Sequence, residues 1–228
     1  MEEVGAERLV RDAVSPSLWG KIRKAYREGG LGLVAVRARK VLLRSNSAWW
    51  YVRDLSRPVA ARDCGLDVRV SREAPGPVVE YMRRKEYLND RELREARRSG
   101  HWFVGLYEGG GVAGFCKCGF TSVYVNDFGE VLTLPPHVAF IYEYEIDERL
   151  RGRGVGGFFV GRVLEALREA GFRHVICHVP PWNKASMKVV ERCGFEKVGY
   201  IRFVEVAGLK FRTGSVETIL ASLEKGSG

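Results

Sequence analysis

Long apolar runs are missing from this 228-residue sequence. It contains no stretch of about 18 apolar residues, which is the shortest length that indicates a membrane-spanning helix. The first residues, MEEVGAERLV, also lack the basic segment and the apolar segment of a secretory signal peptide. We therefore expect no transmembrane helix, no signal peptide and a cytoplasmic location.

Metal-binding patterns are missing as well. The five cysteines form no Cys-x-x-Cys pair, and the four histidines show no metal-ligand spacing. The cysteines are Cys64, Cys116, Cys118, Cys177 and Cys193, and the histidines are His101, His137, His174 and His178. We expect reduced, mostly buried thiols, structural histidines and no metal site.

Basic residues outnumber acidic ones, and the net charge is +9. Residues 1–62 hold thirteen Lys and Arg against six Asp and Glu, a net charge of +7. Since no nucleic-acid-binding motif accompanies this charge, we expect no nucleic-acid partner. We predict instead that residues 1–62 form a basic, mainly helical N-terminal extension.

The extension has two plausible uses. Its segment from Leu31 to Arg44 has helical spacing, with an apolar face and a basic face. The apolar face could pack on the rest of the chain or on a second subunit of a homodimer, or the helix could lie on an anionic membrane surface. Because Trp49, Trp50 and Tyr51 follow directly and bury large areas, we expect packing, with peripheral membrane contact as the alternative.

Residues 63–224 show a mixed pattern of strands and helices. The segments LDVRV, HWFVGLYE and VAGFCKCGFTSVYV predict strands joined by short hairpins. The strand VAFIYEYEI is followed by a glycine turn, a helix from about Val155 to Ala170, and the nearly all-apolar strand HVICHV. A helix between two strands indicates a parallel pair. We predict an α/β fold of the α+β type with a mixed, mostly antiparallel central sheet.

The glycine turn, RLRGRGVGG, has the features of a phosphate site. Unpaired amides at a helix N-terminus attract anions, and glycine allows close approach. A P-loop is excluded, because no Lys-Ser or Lys-Thr follows the glycines. Gly152-x-Gly154-x-x-Gly157 also matches a dinucleotide fingerprint. The context argues against it, since no acid ends the next strand and Glu143 and Glu145 occupy the preceding one.

Two segments occur in the order and context of a known family. The first, RGRGVG from Arg151 to Gly156, fits the pattern [Arg/Gln]-x-x-Gly-x-[Gly/Ala]. The second is NKAS from Asn183 to Ser186, followed by RCGFEKVGY. In both, the chain resembles the GNAT superfamily of CoA-dependent N-acyltransferases, over roughly residues 66–220. The resemblance implies a GNAT-like sheet whose parallel strands splay apart, with helices on both faces.

The same resemblance implies acetyl-CoA as cosubstrate and no metal. The turn amides would hold the pyrophosphate with added charge from two arginines, and splayed-strand backbone groups would hold the pantetheine arm. Asn183 and Ser186 would contact that arm or the thioester end. The cofactor-binding residues predicted in this way are Ile146, Arg151, Gly152, Arg153, Gly154, Val155, Gly156, Gly157, Asn183 and Ser186.

Two glutamates are the candidate bases. In YEYEID, strand alternation places Tyr142, Tyr144 and Ile146 on one face and Glu143 and Glu145 on the other. By the resemblance, the glutamate face points toward the acceptor pocket. Either glutamate could take the ammonium proton, with Glu143 favoured because it lies farther from the loop. The alternative is that the two carboxylates only bind or solvate the acceptor.

The departing thiolate has no evident proton donor. Members of the family often have a tyrosine four residues before the Gly-Phe pair, and this position is Val190 here. Ser186, a water molecule or another tyrosine is left to replace it, or the thiolate leaves without assistance. The predicted catalytic residues are therefore Glu143, Glu145 and Ser186.

The resemblance implies an N-acetyltransferase. Its acetyl group would pass from acetyl-CoA to the primary amine of a small metabolite or amino sugar by direct attack. The alternatives are an acyl-CoA-binding protein without catalysis and an N-acetyltransferase acting on a protein amine. The sequence leaves the acceptor and the acyl-chain preference open.

Overall fold

The computed structural model describes residues 43–58, 63–206 and 209–225. Contacts divide the chain into two units, of which the larger comprises Asn46–Arg202 and Arg212–Gly228. The smaller unit comprises Met1–Ser45 and Phe203–Phe211. Residues 31–42 of the helix predicted from Leu31 to Arg44 lie outside the described residues, and its last two residues, Leu43 and Arg44, belong to a strand instead.

The described residues form ten strands and five α-helices. The strands are β1 (Leu43–Asp54), β2 (Asp67–Ser71), β3 (Trp102–Glu108), β4 (Gly111–Gly119), β5 (Ser122–Val125), β6 (Glu130–Thr133), β7 (Val138–Ile146), β8 (His174–Val179), β9 (Glu196–Val206) and β10 (Leu209–Thr213). The helices are α1 (Gly76–Arg84), α2 (Asp90–Arg98), α3 (Val155–Glu169), α4 (Lys184–Arg192) and α5 (Val216–Lys225). A short 3₁₀ helix, Glu148–Leu150, follows β7.

Eight strands form one sheet, in the order β10, β9, β1, β8, β7, β4, β3, β2, and β5 pairs with β6 in a separate hairpin. Strands β7 and β8 are parallel, whereas β1–β8, β2–β3, β3–β4 and β4–β7 are antiparallel. The predicted mixed, mostly antiparallel sheet with one parallel pair is confirmed.

Helices cover both faces of this sheet. On one face, Phe103 and Phe115 of the sheet belong to a buried cluster with Val78 and Met82 of α1. On the other face, strand residues belong to a second buried cluster with Phe159 and other residues of α3. In β3, side chains alternate between the two clusters, as the two-residue period of a strand requires. No helix in the described part of the chain is long and apolar enough to cross a membrane.

Strand β1 lies inside the sheet, between β8 and β9. Its residues from Trp49 to Asp54 pair with β8 from Val179 back to His174. Trp50 and Tyr51 are fully buried, since neighbouring residues of a strand point to opposite faces and both faces are covered here. Residues 46–54, which belong to the predicted extension, are thus part of the larger unit.

The pairing of β7 with β8 stops partway along both strands. It runs from Val138 opposite His174 to Ile141 opposite Cys177, although β7 continues to Ile146. Beyond Ile141, β7 keeps its antiparallel partner β4 on one side and borders a gap on the other. This is the splayed pair that the sequence predicts.

A β-bulge in β7 changes which side chains share a face. The register between β4 and β7 shifts by one residue at Tyr142, which reverses the alternation beyond it. Tyr144 packs against the buried cluster that contains α3, whereas Tyr142 lies with Glu143 on the face that carries Lys117. The prediction that Tyr142 shares a face with Tyr144 and Ile146 is therefore wrong, because it assumed a regular strand.

Candidate functional site

The glycine loop leads directly into α3. Gly152 (φ +74°) and Gly154 (φ +84°) have left-handed backbone conformations, which other residues adopt with strain. Gly154 is the N-cap of α3, and the Phe158 amide donates to its carbonyl at 3.2 Å. The amides from Val155 to Gly157 precede this first helical hydrogen bond, so the helix itself leaves them unpaired and able to bind an anion.

The two arginines of the loop have different surroundings. Arg151 Nε donates to the Ile146 carbonyl at 3.2 Å, and its guanidinium lies 3.6 Å from the Glu148 carboxylate. Arg151 thus ties the loop to the end of β7. Arg153 instead lines an open cavity of about 360 Å³, together with Gly154.

Backbone groups of Tyr144 and Ile146 face the gap between β7 and β8. The Asp147 amide donates to the Ala113 carbonyl at 2.9 Å, just beyond the β4–β7 ladder. In an antiparallel ladder, the residue before such a donor directs its own N–H and C=O to the opposite side. The Ile146 carbonyl is bound by Arg151, which leaves the Ile146 N–H and both backbone groups of Tyr144 for a ligand in the gap.

Two neighbouring glycines of α3 differ in the space around them. A Cβ at Gly156 would lie 3.0 Å from the Tyr144 hydroxyl oxygen and 3.1 Å from Val189 Cγ2. The Tyr144 hydroxyl also donates to the Gly156 carbonyl at 3.3 Å. A Cβ at Gly157 would meet no atom within 4 Å. Gly156 therefore permits close packing of α3, while the side of Gly157 is open.

A cavity of about 200 Å³, here called cavity A, lies beside the open end of β7. Three of the predicted site residues line it together: Glu143, Asn183 and Ser186. Asp127 adds a second carboxylate to the wall, and no Lys or Arg of the described residues lines the cavity. The wall of cavity A thus contains two carboxylates, of which Glu143 is paired with Lys117 behind the wall and Asp127 contacts His178.

Asn183 and Ser186 are held by the N-terminus of α4. The Asn183 side-chain oxygen caps the helix by accepting from the Ser186 amide at 3.1 Å. This bond fixes Ser186 in the first turn, beside cavity A. Val190 also lines cavity A and supplies no proton donor, whereas Tyr87 and Tyr144 bring hydroxyl-bearing side chains to the same wall.

Glu143 is paired with a buried lysine. Lys117 Nζ lies 2.7 Å from Glu143 Oε2, and the side chains are 3% and 19% exposed. Burial raises the pKa of the Glu143 carboxyl above its ordinary value, and Lys117 partly opposes that rise. A carboxyl whose pKa is raised in this way is suited to accept a proton near neutral pH.

Glu145 has a separate environment. Its carboxylate lies 3.5 Å from Lys85 Nζ and is close to the side chain of Tyr87. Burial, reinforced by Glu145, raises the pKa of Tyr87 to about 12. Cavity A is lined by Tyr87 rather than by Glu145 itself. The structure thus brings Glu143, and not Glu145, into the wall shared with Ser186.

Tyr142 and His101 form a hydrogen-bonded pair beside Glu143. His101 Nε2 lies 3.0 Å from the Ser122 carbonyl, and because a carbonyl only accepts, Nε2 carries the proton. His101 Nδ1 therefore accepts from the Tyr142 hydroxyl, 3.0 Å away. Burial lowers the pKa of His101, consistent with this neutral ring.

A second cavity, here called cavity B, has a volume of about 350 Å³ and a polar lining. Helix α2 contributes Glu92 and Glu95, and the β5–β6 hairpin contributes further side chains. Tyr142 and Glu143 line cavities A and B alike. Glu143 therefore stands where the two cavities meet.

Three residues of this site, Lys117, His178 and Asp127, are not predicted as site residues from the sequence. Lys117 lies at a core-facing position of a strand. Lysine is rare at such positions unless it is paired, so the sequence does contain a sign that this residue has a special role. His178, which the sequence predicts to be a structural histidine, lines cavity A. Its Nε2 lies 3.0 Å from Asp127 Oδ2. No sequence signal connects those two residues, because Asp127 comes from the distant β5–β6 turn.

Metal ligands are not grouped in this part of the molecule. Across the described residues, no three His, Cys, Asp or Glu side chains are arranged to hold a metal ion. Cys116, Cys118, Cys177 and Cys193 are buried free thiols.

Comparison of the sequence with protein-family models gives a match over residues 68–195, more than half of the chain, to the acetyltransferase (GNAT) family. A search of functionally curated proteins gives no significant match.

Solved structures share the fold. A tandem GNAT protein from the clavulanic acid biosynthesis pathway aligns with 77% of this chain at 19% identity and a TM-score of 0.52. A GNAT acetyltransferase from Colwellia psychrerythraea aligns with 72% at 14% identity and a TM-score of 0.52. A GCN5-related N-acetyltransferase from Sphaerobacter thermophilus aligns with 81% at 15% identity and a TM-score of 0.50. The alignments span 58%, 57% and 57% of those three chains.

Proposed function

The chain belongs to the GNAT acetyltransferase family, and from this premise we propose that it transfers an acetyl group from acetyl-CoA to the primary amine of a small metabolite or amino sugar. The observation that carries the proposal is the position of Glu143. This partly buried carboxyl lies at the junction of cavity A, which Ser186 and Asn183 also line, and the polar cavity B.

The cofactor is proposed to enter from the glycine loop. The amides from Val155 to Gly157 and the side chain of Arg153 would bind its pyrophosphate. The pantetheine arm would follow the gap between β7 and β8, bonded to the free backbone groups of Tyr144 and Ile146. Its thioester would then reach cavity A, beside Ser186.

The reaction is a direct attack. The ammonium group of the acceptor gives one proton to the Glu143 carboxylate, and the free amine attacks the thioester carbonyl carbon. The Tyr144 amide would donate to the oxygen that becomes negative. When the carbon–sulfur bond breaks, the second proton of the nitrogen passes through the Ser186 hydroxyl to the CoA sulfur. The proton on Glu143 is released to solvent.

The charge of the cavities supports a cationic acceptor. Cavity A has two carboxylates, Asp127 and Glu143, with no Lys or Arg among the described residues of its wall. Cavity B has three carboxylates, Glu92, Glu95 and Glu143, against the two cations Arg91 and Lys117, and this polar lining suits an acceptor that carries hydroxyl or further amino groups. An amino sugar combines these properties, with its reacting amine at Glu143.

The test is acetyl transfer to a panel of amines, followed by detection of free CoA thiol. We expect turnover with small primary amines, and a drop on the order of 10²-fold in Glu143→Gln, partly recovered at high pH. Acetyl-CoA affinity should not change. Glu196→Gln is the matched control, because Glu196 is an exposed residue of β9 that pairs with Arg57.

Two results would contradict the proposal. Full activity in Glu143→Gln would remove Glu143 as the base. Tight acetyl-CoA binding without turnover on any amine would indicate a binding protein without catalysis.

A further inference from the structure

A lysine is buried in the sheet beside Glu143. Lys117 lies in β4 between two buried cysteines, and only 2% of the residue is exposed. Charged side chains are seldom buried to this degree unless they are paired. The partners of Lys117 are the Glu143 carboxylate at 2.7 Å and the ring of Tyr142, whose centroid lies 4.9 Å from Nζ.

The β-bulge makes this arrangement possible. In a regular strand, consecutive residues point to opposite faces, and one lysine could not contact both Tyr142 and Glu143. The register shift at Tyr142 puts the two side chains on the face of Lys117. Lysine, ring and carboxylate thus form one cluster in the wall of cavity B.

We propose that Lys117 is a positioning residue for the base: it holds Glu143 Oε2, keeps the carboxylate ionised inside the protein, and leaves Oε1 to take the acceptor's proton. The inference rests on the proposed function, in which Glu143 is the base. Lys117 itself does not exchange a proton with the substrate.

The surroundings explain why the carboxylate needs a cation. The titratable groups that act on Glu143 or on its partners come from several elements: Lys117 of β4, Tyr142 of β7, Glu92 of α2, Asp127 of the β5–β6 turn, Tyr87 between α1 and α2, and His101 before β3. Burial raises the pKa of Glu143, and Glu92 and Asp127 add to that rise. Lys117 is the group that opposes it. Without Lys117, the pKa of Glu143 would rise further, and a smaller fraction of the carboxyl would be ionised and able to act as a base.

The first experiment is the pH profile of kcat/KM for the best amine of the panel. In Lys117→Met, the acid limb should move to higher pH by about one unit or more. Lys117→Arg keeps a cation near Oε2, so its limb should stay close to that of the wild type. Glu143→Gln should lose the limb. A limb that stays in place in Lys117→Met, or that moves equally in both lysine variants, would overturn the proposal.

A second experiment does not depend on activity. The carboxyl carbon of Glu143, labelled with ¹³C and identified by the loss of its NMR signal in Glu143→Gln, is titrated in wild type, Lys117→Met and Lys117→Arg. Its midpoint should rise in Lys117→Met and stay nearly constant in Lys117→Arg. If no amine is acetylated but this midpoint rises, the proposed reaction fails while the control of Glu143 by Lys117 stands.

If Lys117→Met folds poorly, a double variant distinguishes the loss of the ion pair from the loss of side-chain volume. The double variant Lys117→Met/Glu143→Gln removes both charges of the pair, so it should regain thermal stability relative to Lys117→Met alone. A double variant no more stable than the single one would mean that Lys117 only fills space, and would overturn the proposal.

Discussion

At the scale of single residues, His101 makes the stability of the folded protein depend on pH. Both ring nitrogens are hydrogen-bonded and the ring is neutral, with its pKa lowered mainly by burial. The unfolded chain therefore binds a proton more readily than the folded one. The contribution of His101 to stability is complete above the ordinary His pKa of about 6.5. It is lost as the pH falls below that value toward the lower pKa of the folded state.

We predict that His101→Gln reduces the acid sensitivity of folding. The free energy of unfolding in urea should fall between pH 7.5 and pH 5.5 in the wild type and fall less in the variant. His174, whose pKa burial also lowers, accounts for part of the remaining slope, and the double variant with His174→Gln should be flatter still. An identical pH slope in wild type and His101→Gln would refute this assignment.

At the scale of elements, the start of α3 offers a clean test of the cofactor site. Substitution of Gly154 would strain its positive φ, and a side chain at Gly156 would press on Tyr144 and Val189. Either change would alter folding as well as binding. Gly157 has open space and an ordinary φ, and its Cβ would point back toward the helix N-terminus, where the amides converge.

We predict that Gly157→Ala weakens acetyl-CoA binding at least several-fold while it maintains or raises the melting temperature. Alanine is favoured over glycine in a helix by about 1 kcal/mol, but its methyl group would stand in the proposed path of the pyrophosphate. Calorimetric titration with acetyl-CoA measures the loss. Gly76→Ala is the control, because Gly76 also lies in the first turn of a helix with open space around it. Unchanged affinity in Gly157→Ala would place the cofactor elsewhere.

The glycine loop could be predicted from sequence because its signals are local. A helix with apolar spacing begins directly after glycines that accept positive φ, and one short segment contains all of this information. The bulge at Tyr142 could not be predicted, because it depends on how β4 and β7 pair across the sheet. The ion pair of Lys117 with Glu143 depends on the same register, so sequence spacing predicts Glu143 as a candidate base without predicting its partner.

At the scale of the whole molecule, β1 joins distant parts of the chain. It lies between β8 and β9, and its Trp50 and Tyr51 are fully buried. We therefore propose that the transferase domain begins near residue 46 rather than residue 63.

We predict that removal of residues 1–54 abolishes cooperative unfolding or leaves an insoluble protein. Without β1, strands β8 and β9 lose the neighbour they share, and apolar surface on both faces of the sheet becomes exposed. A truncation of residues 1–42 retains β1 and is the matched comparison. Solubility and a thermal melt measure the outcome, and a soluble 55–228 protein with the wild-type melting temperature would disprove the proposed boundary.

The position of β1 also has a consequence during synthesis. Asp54 pairs with His174, a residue made 120 positions later. At a translation rate of about 5–20 residues per second, β1 leaves the ribosome roughly 6–24 s before its partner in β8 does. During that interval its aromatic residues have no sheet to join. Nascent chains of this protein therefore present an apolar strand to molecular chaperones, or to one another on a crowded polysome, until β8 emerges.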